Sequence, residues 1–492
     1  MAEDFGSHTT SRPGRQRRSV LQLSAVITAI ALVSTGCGNR ADTSGVAAQE
    51  PQGAVTGQTA VDSSVPGAVD PTGGTAVDTG AVPAASGAPA DPGAGGTAGT
   101  TPGEQPAGGA GTKPDANGKG QGTKPVVKNT GDCSKPIVIG SVGEYSGVLG
   151  SIETAGTTAV AAWTAATNAA GGLNCHQVKY IVYDAGGDPS RQQALTRRAV
   201  EQDGVIAFVY SGYALAGQAA VNYIQEKKIP MIGEEGGNAW SCQNSMYFPI
   251  MSSCAEGTEG NYAMLAKAMP SKDNKVAAIT CVEVPYCSFY HDNAEANAKK
   301  YGLDLVYNGS ISLTQPDYTS ACLLAQRAGA SRVVFGGDST AMTRFMTSCS
   351  SVNYKPILVG PGTAFTPTAP SVPELAGAWT ASGVKIGPAS DPAVAVLMQV
   401  LKKYAPGLAL GPNGGIGWVS AKVFAQALSG VTGNPTSQDV LNGLYAMKGY
   451  TADGLTRPLT FKRDGVYAPD PRCWFPLEVK NKQWVSSPKL CA

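Results

Sequence analysis

Between residues 38 and 132 the chain contains no Leu, Ile, Met, Phe, Tyr or Trp. The tract is built chiefly from Gly, Ala, Pro, Thr, Ser, Val and Asp. Such a segment cannot bury enough apolar surface to offset the entropy lost on ordering. The composition predicts a disordered linker with a root-mean-square span of roughly 50–60 Å as a flexible coil. Any fold must therefore be built from residues 133 to 492, a stretch long enough for two lobes with separate cores.

What precedes the linker reads as an export signal. Arg12, Arg15, Arg17 and Arg18 lead into an apolar run from Val20 to Val33, followed by Ser34-Thr35-Gly36-Cys37. A basic region, a short apolar region and small residues at the cut make a signal peptide over residues 1–36. The apolar run is shorter than the about 20 residues that span a bilayer. A small-residue site ending in Cys resembles a bacterial lipobox, which implies cleavage before Cys37 and lipid on its thiol. The match departs at Ser34, where Leu is usual, with Val33 one step further out. An ordinary secretory signal with an incidental cysteine is the alternative. Arg17-Arg18-Ser19-Val20-Leu21 also resembles a twin-arginine signal, so the export route stays open. On the lipobox reading, residues 37–132 tether an extracytoplasmic domain to the cell membrane, and the anchor is its only membrane contact.

Formal net charge is +1, and no basic patch is interleaved with aromatics, so nucleic acid is not an expected partner. Cys37 is one of 11 cysteines. The others are Cys133, Cys175, Cys242, Cys254, Cys281, Cys287, Cys322, Cys349, Cys473 and Cys491, an even set that reads as disulfides in an exported chain. Pairing neighbours in order gives 133–175, 242–254, 281–287, 322–349 and 473–491, although sequence alone leaves connectivity open. No C-x-x-C pair occurs, and His8, His176 and His291 are scattered, so neither a metal nor a cofactor is expected. The chain has no H-E-x-x-H, G-x-S-x-G or P-loop. His291 stands beside Asp292, but no nucleophile can be placed with it. The expectation is a protein that is not an enzyme.

From 137 onward, β-rich runs alternate with helical patterns. Strands are expected at 137–140, 178–183, 205–210 and 229–232, with helices at 154–170, 190–202 and onward from the third strand to Lys228. Asp188-Pro189 marks a helix start, because Asp caps and Pro fits the first helical position. A second series follows: strands at 276–281, 303–307, 333–335 and 357–359, with helices at 289–301, 318–328 and 342–352. Later helices are expected at 392–404, 416–428 and 438–447. Leu459–Lys462, Trp474–Val479 and Gln483–Val485 read as short antiparallel strands. Two successive βα series predict an α/β protein of two doubly wound parallel-sheet lobes. Ligands in such sheets sit beyond the carboxyl ends of the strands. That points to the loops 143–151, 211–217, 233–240, 283–288, 336–340 and 360–365.

The order of motifs resembles the type 1 periplasmic binding proteins, specifically the branched-chain amino-acid (Leu/Ile/Val) branch. The resemblance rests on Ile139-Gly140 with Ser146-Gly147, Asn168-Ala169-Ala170-Gly171-Gly172, Tyr183-Asp184 with Asp188-Pro189, Ile229-Pro230-Met231-Ile232, Gly336-Gly337 and Gly360-Pro361. It covers residues 135–480. It implies the solute-binding component of an ABC importer, with lobes joined by a three-crossover hinge that close on a small ligand and dock on permease subunits. By that resemblance 133–253 with 384–467 form lobe I, and 254–383 with 468–492 form lobe II.

Carried over position by position, the resemblance names Tyr213, Ala214, Leu215, Gly236, Gly237, Tyr286 and Asp338 as ligand-binding. The family loop that binds a ligand carboxylate through hydroxyls and amides falls on Tyr213-Ala214-Leu215-Ala216, where hydroxyls are absent and only backbone amides remain. The next family loop falls on Gly236-Gly237, again without a hydroxyl. Tyr286 matches a ligand-contacting tyrosine, and a second falls near Asp338-Ser339. The family glutamate that holds an α-ammonium falls on Gly362, which cannot replace it. Asp338, Glu144, Glu234 and Glu235 are the candidates to do so; otherwise the ligand carries no ammonium. Each residue also has a plainer reading: Tyr286 beside a Cys281–Cys287 bridge, Asp338 as a helix cap, Tyr213 in packing, and Glu234 and Glu235 as solvated carboxylates. Trp240 and Trp418 read as packing and core. The same fold also serves ligand-sensing receptors, which is the second reading of function. An envelope hydrolase is the third, and it would require a catalytic constellation in the cleft.

Overall fold

The computed structural model describes residues 131–147, 149–234, 241, 244–250, 256–269, 271, 273–463 and 472–491, with 234, 256 and 257 by backbone only. The leader 1–36, Cys37, nearly all of the linker, Glu235, Gly236, Gly237, Trp240, Cys242, Cys254 and the Glu234 side chain lie outside the described residues.

Two parallel sheets carry the fold. The first comprises β1 (Ile137–Gly143), β2 (Val178–Asp184), β3 (Ala207–Ser211), β4 (Met231–Glu234) and β5 (Tyr247–Phe248), in the order β2-β1-β3-β4-β5 with every pair parallel. The second comprises β6 (Lys275–Cys281), β7 (Asp304–Ile311), β8 (Arg332–Gly336), β9 (Ile357–Val359) and β10 (Trp379–Ser382), in the order β7-β6-β8-β9-β10. These five also pair in parallel. Each sheet starts in its interior and winds outward both ways. The strands β3 and β8 are buried at every residue, as near-continuous apolar strands of parallel sheets are. Beyond β10 the second sheet turns antiparallel through β11 (Cys473–Lys480) and β12 (Gln483–Ser486), and β13 (Leu490–Cys491) pairs with β11.

The helices are α1 (Gly150–Ala169), α2 (Pro189–Glu201), α3 (Val221–Lys227), α4 (Glu256–Lys267), α5 (Pro285–Lys300), α6 (Thr319–Arg327), α7 (Ser339–Ser351), α8 (Pro392–Tyr404), α9 (Pro412–Ala427) and α10 (Ser437–Ala446). Asp188 caps α2 by accepting from the Arg191 amide at 2.7 Å, with Pro189 in the first turn. Asp391 and Pro392 start α8 in the same way. Although α9 follows β10 in the chain, it packs on α1, β3 and β4 of the first lobe. The chain then returns to the second sheet at β11, so it crosses between the lobes three times. Disulfides join Cys133 to Cys175, Cys281 to Cys287, Cys322 to Cys349 and Cys473 to Cys491. Trp418 is buried in the core.

Several boundaries differ from the sequence reading for identifiable reasons. α5 begins at Pro285 rather than Phe289, because Pro is preorganised for the first helical turn. β7 extends through Asn308-Gly309-Ser310, which pair with β6 despite their loop-like composition. α9 begins at Pro412 rather than Ile416: Gly414 and Gly415 lie inside it, and a Cβ on Gly415 would stand 2.8 Å from Ile386. Leu459–Lys462 is not a strand; Leu459 makes one antiparallel bridge to Tyr450. The strands β5, β10 and β13 and the helix α4 were not expected from the pattern.

The approach of α9 to α1 is set by two glycines. A Cβ on Gly417 would stand 2.2 Å from the Gly156 carbonyl oxygen, and one on Gly156 would meet the Tyr210 ring at 2.0 Å. Gly417→Ala should therefore force the helices apart and cost about 1–3 kcal/mol in urea unfolding. Gly430→Ala, which meets nothing within 4 Å, should stay within about 0.5 kcal/mol of wild type.

Candidate functional site

In each lobe the strand order reverses between the first and third strands, and crevices that take ligands form at such switch points. In lobe I the point lies between β1 and β3. There the two chains touch: the Glu144 amide donates to the Gly212 carbonyl at 2.7 Å, and a Cβ on Gly143 would stand 2.0 Å from that oxygen. Contact this close holds Glu144 over the loop after β3. Glu144 Oε1 accepts from the amides of Leu215 at 2.7 Å and Ala216 at 2.8 Å, and the residue is 1% exposed. Such donors offset the cost of burying a carboxylate.

A second buried carboxylate lies beneath. Glu153, on α1, accepts from the Tyr210 hydroxyl at 2.6 Å, and a Cβ on Gly212 would meet its Oε2 at 2.1 Å. Tyr210 itself has a φ of 57°. The Tyr145 hydroxyl donates to the Tyr210 carbonyl at 3.4 Å, and burial pushes this phenol well above its ordinary pKa, so it stays protonated. At the end of β2, Asp184 Oδ1 accepts from the amides of Tyr145, Ser146 and Gly186 at 3.0, 3.2 and 2.9 Å. Burial alone would raise the Asp184 pKa. The Ser146 hydroxyl and these amides outweigh that and hold it below the ordinary value of 3.8.

In lobe II the switch point lies between β6 and β8. Glu283, just past β6, accepts from the Ser312 hydroxyl at 2.5 Å and the Leu313 amide at 2.8 Å. Partial burial works against the charge, but these bonds and the Val282 amide hold its pKa below the ordinary 4.5. Tyr286 sits half-buried in the first turn of α5, its ring centroid 4.6 Å from that of Tyr290. Asp338 ends the β8 loop and caps α7, accepting from Thr340 and Ala341 amides at 2.7 and 2.9 Å. Gly362 opens a short 3₁₀ turn, where a Cβ would stand 3.2 Å from Thr380 Oγ1 and 3.5 Å from Pro412 Cβ.

Among the described residues, a side chain at the junction reaches both lobes. Asn413, in the first turn of α9, donates through Nδ2 to the Thr363 carbonyl at 3.0 Å and the Ile152 carbonyl at 3.2 Å. Among the described residues, no group of three or more His, Cys, Asp or Glu is arranged to hold a metal, and no helix is long and apolar enough to cross a membrane.

Comparison with known proteins decides the family. Residues 136–483 match the family model described as periplasmic binding protein. The chain belongs to the type 1 periplasmic binding proteins. Solved structures share the fold at low identity. A fatty acid ABC transporter substrate-binding protein from Thermomonospora curvata is 17% identical with a TM-score of 0.61, over 75% of this chain and 95% of that one. A possible leucine/isoleucine/valine-binding protein from Rhodopirellula baltica SH 1 is 18% identical with a TM-score of 0.62, over 72% and 96%. The branched-chain amino acid transporter substrate binding protein of Streptococcus pneumoniae, in complex with isoleucine, is 16% identical with a TM-score of 0.58, over 73% and 99%. A search of curated proteins finds no match.

Within this binding protein, Tyr213, Ala214 and Leu215 gather at the first switch point, and Tyr286 and Asp338 at the second. Tyr213 is buried and meets Tyr247 edge-on at 6.2 Å, while the Leu215 side chain is exposed. Sequence reading left the Leu215 and Ala216 amides open for an anion; in the structure Glu144 fills that place. Glu144 was considered only as an ammonium partner, and Glu153, Glu283 and Asn413 were missed. The available signals were Glu144 and Glu283 at the ends of apolar runs and Asn413 just after a Gly-Pro helix start.

Asp338→Ala should cost about 1 kcal/mol through loss of the α7 cap, with Asp338→Ser restoring most of it in urea unfolding. A depressed folded pKa contributes stability above the unfolded pKa, which is lost as pH falls through the folded value. The stability contributed by Asp184 should therefore fade as pH drops through and below 3.8. Asp184→Asn should be less stable at neutral pH and show a shallower acid limb when melting is followed against pH.

Proposed function

We propose that the protein is a lipid-anchored extracytoplasmic solute-binding protein of an ABC importer. Lobe I comprises 133–253 with 384–467, and lobe II comprises 254–383 with 468–492. A small polar ligand enters between the two switch points and draws the lobes together about the three crossovers. The closed form docks on membrane permease subunits, and no bond in the ligand is broken. The lipid on Cys37 and the 37–132 linker keep the domain near its permease while leaving it free to turn.

The observation that carries this reading is Asn413, hydrogen-bonded at once to Ile152 and Thr363, at the join between two doubly wound lobes of matching strand order. Family membership supports it, as do the neighbouring structures, whose named ligands are a fatty acid and isoleucine. Ligand-driven closure requires contacts from both sides, because a ligand shifts an equilibrium only by its differential affinity for the two states. Tyr213, Leu215, Gly236 and Gly237 act from lobe I, and Tyr286 and Asp338 from lobe II.

The test is a thermal-shift screen of the full chain against amino acids, amides and small acids, followed by small-angle scattering at saturation. A ligand should raise the melting temperature with its excess over Kd and reduce the radius of gyration. Tyr286→Ala should weaken that ligand about tenfold or more, a loss typical of an aromatic contact, while shifting the unfolding midpoint little. A bound ligand that leaves the radius unchanged would rule out closure.

A further inference from the structure

The nature of the ligand's head group is written into the first switch point. Resting on the solute-binding reading above, we propose that Glu144 determines specificity by supplying from within the chain the anion this point would otherwise take from a ligand. The site therefore accepts a head group that is neutral or cationic, such as an amide, alcohol or amine, and rejects a carboxylate.

Two successive amides aimed at one oxygen form an anion seat. Here the Leu215 and Ala216 amides converge on Glu144 Oε1 at 2.7 and 2.8 Å. Their donors are thus already engaged, and a ligand carboxylate arriving at the end of β3 finds both amides taken. A second acidic side chain, Glu153, lies against the same loop, so no basic group backs this seat from α1. Lobe II does not reverse this sign, since the groups at its switch point are Glu283 and Asp338. The nearby cation Arg344 is turned to the Leu313 carbonyl and the Tyr318 hydroxyl. At Gly362 nothing adds a charge, and Thr380 and Pro412 close round the position. With both amides engaged, a ligand carboxylate gains no donor pair at this point, whereas an amide, alcohol or amine gives up nothing by comparison.

The test uses the purified full chain and two pairs of compounds that share a skeleton, hexanamide with hexanoate and leucinamide with leucine, followed by calorimetry and melting. Wild type should bind the carboxylate-free member of a pair about tenfold or more tightly, the scale of one unfavourable charge contact. Glu144→Ala should empty the seat, shrink that preference about tenfold, and make acetate alone raise the melting temperature, which it does not do for wild type. Glu144→Gln keeps an oxygen on the two amides and preserves the loop, so it should lose discrimination without gaining an acetate response. It decides the matter alone if the alanine variant does not fold, and unchanged discrimination in it overturns the inference. Equal or tighter binding of the carboxylates by wild type overturns the inference while leaving solute binding intact. Silence of both proteins toward all four compounds and acetate also overturns it, and the solute-binding reading then stands or falls on the broader closure screen.

Discussion

The backbones of Gly143 and Gly212 are in contact, and the chemistry of the first lobe follows from that contact. Neither position has room for a side chain: a Cβ on the first would strike the Gly212 carbonyl, and one on the second would strike Glu153. With the strand ends held together, the residue after Gly143 must lie over the loop after β3. Glu144 is that residue. Its length then carries a carboxylate to the two loop amides, and Glu153 reaches the same loop from α1 below. A larger residue at Gly143 would push the end of β1 off the chain after β3, and one at Gly212 would displace Glu153.

Both lobes treat their strand-end carboxylates in the same way. Glu144 and Glu283 each follow the first strand of a doubly wound sheet, and each accepts from an amide in a neighbouring loop. Asp184 and Asp338 likewise accept loop or helix amides. These bonds fasten the loops, with the Ser312 hydroxyl joining the amide at Glu283. Burial separates the two lobes. Glu144 is enclosed and Glu283 is exposed to solvent. Water screens the second far more than the first.

Much of the fold was legible because its signals were local. Apolar runs marked the interior strands, and Asp188-Pro189 and Pro392 marked helix starts that the structure keeps. Family motifs then supplied lobe order that periodicity could not. Non-local features were less legible. β10 and β11 are neighbours in one sheet but lie far apart in sequence, and β5 is too short to show a pattern. The polar end of β7 reads as loop until β6 pairs with it. The site was legible only in outline. Its loops were located, but the partner of the 215–216 amides lies on a different strand, and only packing at Gly143 and Gly212 brings it there.

Asn413 couples the lobes through its side chain. Its amide nitrogen carries two hydrogens; one is given to Ile152 in lobe I and the other to Thr363 in the β9 loop of lobe II. The residue sits in the first turn of α9, which Gly417 clamps onto α1. Motion of the β9 loop is thereby referred to the same rigid helix pair that carries Glu153. On the solute-binding reading proposed above, a ligand touching both switch points would shift the lobes only by its differential affinity for their two arrangements. At the same junction a Cβ on Gly362 would crowd Thr380 Oγ1 at 3.2 Å and make ordinary contact with Pro412 of α9 at 3.5 Å.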